Sequence, residues 1–201
     1  MRKLKWIVLF ISLVLILTIV EDVLSEEIYV LDNIGYNFVS KYLISENITP
    51  ITKVVTQLGG AIFLIILALV LSILIKNKII GIQIWSNLAI VTLLNQIQKH
   101  IVQRPRPTEF RIIDESGYSF PSGHSMVSAA FYGFLIYLIY KNVKNKYLKW
   151  SLVTLLSILV ILIGTSRIYL GVHYTSDVLA GFLISISYLI IFVTVIKKWN
   201  G

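Results

Sequence analysis

Two residues that could form a nucleophilic pair, His173 and Asp177, stand four positions apart in the C-terminal part of the sequence. Residues at this spacing share one face of a helix, so the carboxylate can contact the imidazole. A carboxylate on one ring nitrogen fixes the tautomer and leaves the other nitrogen free as a nucleophile. His124 lies in a separate segment and could protonate a leaving oxygen as a general acid. These three residues are the candidate catalytic set.

Basic residues and a helix start near these histidines have the chemistry of an anion site. Lys99, Arg106 and Arg167 supply charge-assisted donors, and arginine in particular matches phosphate oxygens with a forked geometry. The Pro121–Gly123 segment offers the Ser122 hydroxyl as an N-cap, unpaired N–H groups and the positive end of a helix dipole. Together they predict a bound anion.

The composition places these residues in a membrane protein. Of 201 residues, 57% are hydrophobic and only 14% are charged, and the mean hydropathy is +0.83. An ordinary soluble domain has about a quarter charged residues, and a disordered chain has more. The absence of cysteine excludes disulfides, thiolate metal sites and cysteine nucleophiles. The net charge of +8 is interpreted as a topology signal, not as a sign of nucleic-acid binding.

Six charge-free apolar stretches of 15 to 22 residues run through the chain, and a helix of about 20 residues spans a bilayer. They predict an all-α integral membrane protein with six transmembrane helices, whose helical bundle forms a single domain over residues 1–201. The predicted spans are 6–22, 54–75, 79–98, 122–140, 149–166 and 174–196. The first span is expected to remain uncleaved, because no small-residue cleavage site follows it.

The basic residues predict the orientation. With both termini in the cytoplasm, 11 of the 18 basic residues lie inside, and seven lie outside with all 10 acidic residues. The charge is then +11 inside and −3 outside, in agreement with the positive-inside rule. The sequence therefore predicts a multi-pass protein of the cytoplasmic membrane with an extracytoplasmic site.

Five outside basic residues oppose this bias and cluster beside the third and fifth spans, namely Lys99, Arg104, Arg106, Arg111 and Arg167. A bound anion is the simplest reason for them. Arg104 and Arg111 are interpreted as contacts to phospholipid headgroups, and contact with a second phosphate is the alternative. The outside segment Glu21–Lys53 is predicted to be either an interfacial helix or an irregular loop.

The three segments resemble a known family, the type-2 phosphatidic acid phosphatase superfamily, which also includes vanadium haloperoxidases and glucose-6-phosphatase-like enzymes. The family pattern reads Lys-x6-Arg-Pro, then Pro-Ser-Gly-His, then Ser-Arg-x5-His-x3-Asp. This chain carries all three without a departure, at Lys99–Pro107, Pro121–His124 and Ser166–Asp177.

The resemblance implies a two-step phosphoryl transfer without metal or cofactor. His173 would attack phosphorus and form a phosphohistidine, with Asp177 polarising the ring. His124 would protonate the departing lipid oxygen before water hydrolyses the intermediate. The residues implied to hold the phosphate oxygens are Lys99, Arg106, Ser122, Gly123 and Arg167.

The function expected from this resemblance is hydrolysis of a phosphorylated or pyrophosphorylated membrane lipid. Undecaprenyl diphosphate is the first expected substrate, and phosphatidylglycerophosphate and phosphatidate are alternatives. Transfer of phosphate to another lipid and non-catalytic lipid transport remain open, although charge-free stretches count against a transporter. The expected partners are the lipid substrate and the bilayer, without nucleic acid, and the oligomeric state stays undetermined.

Overall fold

Eight α-helices make up the part of the chain that the computed structural model describes, residues 2–25 and 29–199. They are α1 (Arg2–Leu24), α2 (Tyr29–Tyr42), α3 (Ile48–Gln57), α4 (Ala61–Leu74), α5 (Lys78–Val102), α6 (Gly123–Asn142), α7 (Lys146–Tyr169) and α8 (Thr175–Trp199). No strand occurs within those two ranges, and the predicted all-helical fold is confirmed.

Local capping explains where three of the long helices begin. Asn77 caps α5 by accepting from the backbone N–H of Ile79 at 3.0 Å, and Asn145 caps α7 by accepting from Leu148 at 3.0 Å. Ser122 caps α6 in the same way. These short polar side chains satisfy N–H groups that have no partner inside their own helix.

Among the helices of the described residues, five are long and apolar enough to cross a membrane, and a bent pair supplies a sixth crossing if it is counted as one span. The pair is α3 and α4, which meet at 53°, whereas the sequence predicted one continuous span over 54–75. Gly59 and Gly60 form the break, because their N–H groups bond back to Thr56 and Gln57 and Gly60 then adopts extended backbone. Hydropathy does not register such a break, since both halves are apolar.

The segment after α1 that was predicted to lie outside is helical over Tyr29–Tyr42, which confirms that it contains a helix. One face of α2 exposes Ile34, Phe38 and Tyr42. The opposite face packs against α7 and α8 and carries the buried residues Asp32 and Val39. The helix therefore has an apolar exposed side and a second side that belongs to the protein interior.

The bundle is organised around α6, which packs against α5, α7 and α8. Helices α5 and α7 end where α6 and α8 begin, and the loop 103–122 covers this end of the bundle, which we call the site end. The turn between α7 and α8 contains Gly171, whose φ of +69° is accessible to glycine at no steric cost. Helix ends and two loops thus bring distant segments of the chain together.

Candidate active site

His173 and Asp177 form a buried pair at the site end. His173 lies in the turn just before α8, and Asp177 lies in the first turn of that helix. Nδ1 of His173 is 3.3 Å from Oδ2 of Asp177, and the two side chains are 2% and 0% exposed. The predicted contact between these residues is present in the structure.

The Asp177 carboxylate accepts hydrogen bonds from four groups. Arg104 Nη1 donates to Oδ1 at 2.7 Å, and the Ser119 hydroxyl donates to Oδ2 at 2.5 Å. The backbone N–H of Tyr174 also donates to Oδ2, at 2.9 Å, beside the Nδ1 of His173. Donors on both oxygens stabilise the ionised carboxylate and fix its orientation.

The opposite nitrogen of His173 is an acceptor. Nη1 of Arg106 lies 3.0 Å from Nε2 of His173, and a guanidinium can only donate. Nε2 therefore carries the lone pair and Nδ1 carries the proton that faces Asp177. Burial lowers the pKa of His173 to about 4 against the opposing effect of Asp177, so the ring is neutral at pH 7. This is the state of a nitrogen nucleophile.

Arg106 is held in place by backbone carbonyls on three sides. Its Nε donates to Gly117 at 2.9 Å, Nη1 to Val172 at 2.9 Å and Nη2 to Ser116 at 3.0 Å. The loop 103–122 and the turn before α8 thus clamp the guanidinium directly over Nε2 of His173. A group bound at that nitrogen would meet a preoriented positive charge.

Two further cations line the site from the last turns of α5 and α7. Lys99 donates from Nζ to the carbonyls of Tyr118 and Ser119. Arg167 is 1% exposed and donates to Thr56 Oγ1 at 2.8 Å and to Glu115 Oε2 at 2.5 Å. Its Nε has no hydrogen-bond partner in the described part of the chain.

Glu115 lies within the predicted cation cluster, on the loop 103–122. Burial would raise the pKa of Glu115, but the neighbouring Arg167 outweighs it and holds that pKa below its ordinary value. The Glu115 carboxylate is therefore an anion paired with Arg167.

The start of α6 lies beside these groups. The Ser122 side chain is fully buried, and its Oγ accepts from Ser125 N at 3.4 Å and Ser125 Oγ at 2.9 Å. Its hydroxyl is thus engaged in capping, whereas Gly123 and His124 line the adjoining cavity. The first N–H groups of a helix have no partner within it, which leaves the backbone here suited to an anion.

His124 faces the same cavity as His173, next to the break between α3 and α4. A Cβ placed on Gly60 would lie 3.8 Å from Nε2 of His124. The ring makes no hydrogen bond within residues 2–25 and 29–199. It is therefore free to act on a group that enters the cavity.

The cavity has a volume of about 790 Å³ and two chemically different ends. Its polar end is lined by Lys99, Arg106, Glu115, His124 and His173. It continues as an apolar groove lined by Leu64, Ile65, Trp85, Leu88, Leu93 and Val127, on α4, α5 and α6. The arrangement suits a molecule with a charged head and a long apolar tail.

The structure corrects the interpretation of Arg104 as a headgroup contact. Its Nη2 donates to Asp32 at 2.6 Å, and its Nη1 donates to Asp177 at 2.7 Å. Both carboxylates belong to the protein, so this arginine is held inside the structure. Arg111 is exposed and bonds through Nε to the carbonyl of Pro107 at 2.5 Å.

All eight predicted site residues lie at the site end, and five of them line the cavity, namely Lys99, Arg106, Gly123, His124 and His173. Asp177 and Arg167 lie behind this lining, where they contact His173 and Glu115. The hydroxyl of Ser122 is used in capping α6. Sequence reasoning missed Ser119, Glu115 and Asp32. Only their polar or acidic character could have pointed to them, since their partners are far away in the chain.

No group of three or more His, Cys, Asp or Glu side chains suited to a metal ion occurs in the described ranges. The positive charge at the polar end of the cavity comes from Lys99, Arg106 and Arg167. These side chains can supply the electrostatic stabilisation that phosphoryl transfer requires.

Comparison with known proteins gives consistent matches. The family model described as PAP2 superfamily matches residues 57–200. Phosphatidylglycerophosphatase B of Bacillus subtilis (strain 168) is 33% identical over 135 residues, which cover 64% of this chain and 65% of that relative, just under two thirds of its length. Undecaprenyl-diphosphatase of Sulfolobus acidocaldarius is 28% identical over 189 residues, covering 89% of this chain and 84% of the relative.

Two solved structures share the fold. The crystal structure of a transmembrane PAP2-type phosphatidylglycerolphosphate phosphatase from Bacillus subtilis has a TM-score of 0.79 and 24% identity, covering 96% of both chains. Aquifex aeolicus LpxE has a TM-score of 0.66 and 24% identity, covering 82% of this chain and 93% of that one. At this identity the two structures show the fold alone, which is that of a multi-pass membrane protein.

Proposed function

The chain belongs to the PAP2 superfamily, and on that basis we propose that it is a metal-independent lipid phosphatase with a phosphohistidine intermediate on His173. The observation that carries the proposal is the environment of this ring. Nδ1 faces Asp177, and Nε2 presents a lone pair to Arg106 at the polar end of the cavity. This is the geometry of an activated nitrogen nucleophile next to a site for anionic oxygens.

The proposed reaction has two steps. In the first, Nε2 of His173 attacks phosphorus, the bond from phosphorus to the lipid-side oxygen breaks, and protonated His124 gives that oxygen a proton. In the second, water attacks the same phosphorus, His124 takes the proton of the water, and the bond to Nε2 breaks to release inorganic phosphate. Asp177 stabilises the positive charge that the ring acquires while it is bonded to phosphorus.

The phosphate oxygens would replace the protein acceptors that the cations now use. Arg106 would exchange its contact with Nε2 of His173 for a phosphate oxygen, which also uncovers the nucleophile. Arg167 would exchange its contact with Glu115 for a phosphate oxygen, and Lys99 would likewise exchange its contacts with the carbonyls of the loop 103–122. The backbone N–H groups at Gly123 supply further donors at the start of α6.

The apolar groove supports a lipid as the substrate. From Lys99 to Trp85 it follows α5 over 14 residues, which is roughly 21 Å at the rise of an α-helix. The bend between α3 and α4 directs α3 toward α7 and leaves the groove bordered by α4, α5 and α6. A tail lying there would place its phosphate at His173.

We propose undecaprenyl diphosphate as the first substrate to test, since the relative named for it matches most of this chain. Phosphatidylglycerophosphate is the second candidate, favoured by the higher identity to phosphatidylglycerophosphatase B. The distribution of basic residues supports an extracytoplasmic site in the cytoplasmic membrane, with both termini in the cytoplasm.

The test is phosphate release by the purified protein in detergent with EDTA present. Undecaprenyl diphosphate, phosphatidylglycerophosphate and phosphatidate are compared at equal surface fraction, each beside His173→Ala. We expect one lipid to be preferred and its turnover to disappear in the variant. Labelled phosphate appearing on a second lipid would instead identify a phosphotransferase. Lipid movement that persists in His173→Ala without phosphate release would identify a transporter.

A further inference from the structure

Helix α2 lies outside the part of the chain that the family model matches, residues 57–200, yet it contributes a carboxylate to the site. Asp32 is only 4% exposed and shares the inward face of α2 with Gly35 and Val39. At Gly35 an added Cβ would collide with the side chain of Thr175. The backbone of α2 therefore lies directly against the start of α8.

Both oxygens of Asp32 are used at this contact. Oδ1 accepts from the backbone N–H of Ser176 at 2.9 Å, in the first turn of α8. Oδ2 accepts from Arg104 Nη2 at 2.6 Å. The other terminal nitrogen of Arg104 donates to Asp177 and to the hydroxyl of Ser176, each at 2.7 Å. A continuous series of contacts thus runs from Asp32 through Arg104 to Asp177 and on to His173.

The charges along this series determine what Asp177 can do. Arg104 alone would cancel the negative charge of Asp177, because the two groups are buried and 2.7 Å apart. With Asp32 on the other side of Arg104, the three groups sum to −1. That residual charge faces a ring that becomes positive when it attacks phosphorus.

We propose that Asp32 is a positioning residue for the reaction, which preserves the negative charge of Asp177 by neutralising Arg104 and fixes the start of α8 under His173. The inference rests on the proposed phosphatase activity. It adds a residue from α2 to a site whose family motifs all lie in the segment from Lys99 to Asp177.

The pH dependence of kcat/KM is the readout, because its acid limb reports protonation of His173 in the free enzyme. Other titratable or charged groups also face or adjoin this ring, and apart from Arg104, which two of the variants replace, they are the same in every variant below. These groups are Asp177 on α8, Arg104, Arg106 and Glu115 on the loop 103–122, His124 on α6, Arg167 on α7 and Lys99 on α5. A displaced limb then reports the altered charge.

Asp32→Asn keeps the size of the side chain and removes its charge. We expect kcat to fall about tenfold or more, with KM little changed, because the substrate does not contact this residue. The acid limb should move to lower pH, since protonated His173 loses stabilisation. Glu46→Gln is the matched control, as Glu46 is exposed between α2 and α3, and it should leave both quantities unchanged.

Two variants with opposite charge effects complete the test. Arg104→Gln leaves two carboxylates without the guanidinium, so the acid limb should move to higher pH. Asp32→Asn combined with Arg104→Gln restores −1 and should return the limb toward its wild-type position. If Asp32→Asn alone fails to fold, the double variant is compared with Arg104→Gln, because these two proteins differ only in the charge at Asp32 and the acid limb of the double variant should lie at lower pH.

A purely structural role for Asp32 predicts a different pattern. The melting temperature and the active fraction would fall, the acid limb would stay in place, and the double variant would be worse than either single one. That result with an active wild type overturns this inference alone. A wild type that releases no phosphate overturns the proposed function and this inference with it.

Discussion

Replacing Asp177 with asparagine tests how much its charge contributes to catalysis. The amide keeps the shape of the carboxylate, and its oxygen can still accept from Ser119, Tyr174 and His173 at the Oδ2 position. The NH₂ group then faces Arg104, where an acceptor stood before. The substitution therefore removes a negative charge with little change in the packing around the ring.

The expected loss follows from the distance between the two groups. A full positive charge on His173, 3.3 Å from the Asp177 oxygen, is stabilised by about 5 kcal/mol at an effective dielectric constant of about 20. Since about 1.4 kcal/mol corresponds to a tenfold change in rate, kcat should fall by about three to four powers of ten.

The assay is phosphate release from the preferred lipid under saturating conditions, beside Asp114→Asn as a matched control. Asp114 is exposed on the same loop that covers the site, so its variant should keep wild-type turnover. Size-exclusion chromatography and the melting temperature establish that the Asp177 variant is folded. A folded Asp177→Asn protein that keeps kcat within tenfold of wild type would refute the reasoning.

Three further predictions concern the groups around His173. His124→Gln should slow lipid hydrolysis by about 10²- to 10⁴-fold but affect the first-turnover burst of nitrophenolate from p-nitrophenyl phosphate much less, because nitrophenolate leaves without a proton and the burst reports only the first step; an equal loss in the first step on both substrates would contradict the general-acid role. Glu115→Gln should tighten inhibition by inorganic phosphate, because phosphate then no longer has to displace a carboxylate that lies 2.5 Å from Arg167; unchanged inhibition would mean that Glu115 does not compete with phosphate. EDTA should leave turnover within about twofold, because arginine and lysine supply the positive charge; strong inhibition that added Mg²⁺ reverses would contradict this chemistry.

Much of the fold and the site could be predicted from the sequence because the signals are local. Charge-free stretches predict spanning helices without any tertiary information, and the residues of the three motifs lie at the helix ends that such spans bring together. His173 and Asp177 were paired from their i,i+4 spacing, although His173 lies in the turn before α8 and only Asp177 lies on the helix itself. The bend at Gly59–Gly60 was missed because two apolar half-helices have the same hydropathy as one continuous helix.

The remaining part of the site depends on contacts between segments that sequence spacing does not relate. Asp32 reaches Arg104 across 72 positions, and Thr56 reaches Arg167 across 111. Arg104 was misinterpreted for this reason, since a basic residue near a membrane surface is equally compatible with a lipid headgroup. The path of α2 across the start of α8 brings Asp32 and Asp177 together around Arg104, and only this arrangement shows that the partners of Arg104 are carboxylates.

The most direct test of the proposed two-step mechanism is to look for phosphate bound to His173 during turnover. The lipid labelled in its terminal phosphate is mixed with the enzyme, quenched within milliseconds in alkali, and the protein-bound label is mapped by peptide. A phosphohistidine intermediate predicts a label on His173 that is stable to alkali and labile to acid, and both this label and turnover should be absent from His173→Ala. Steady phosphate release without any protein-bound label, or wild-type turnover in His173→Ala, would contradict it.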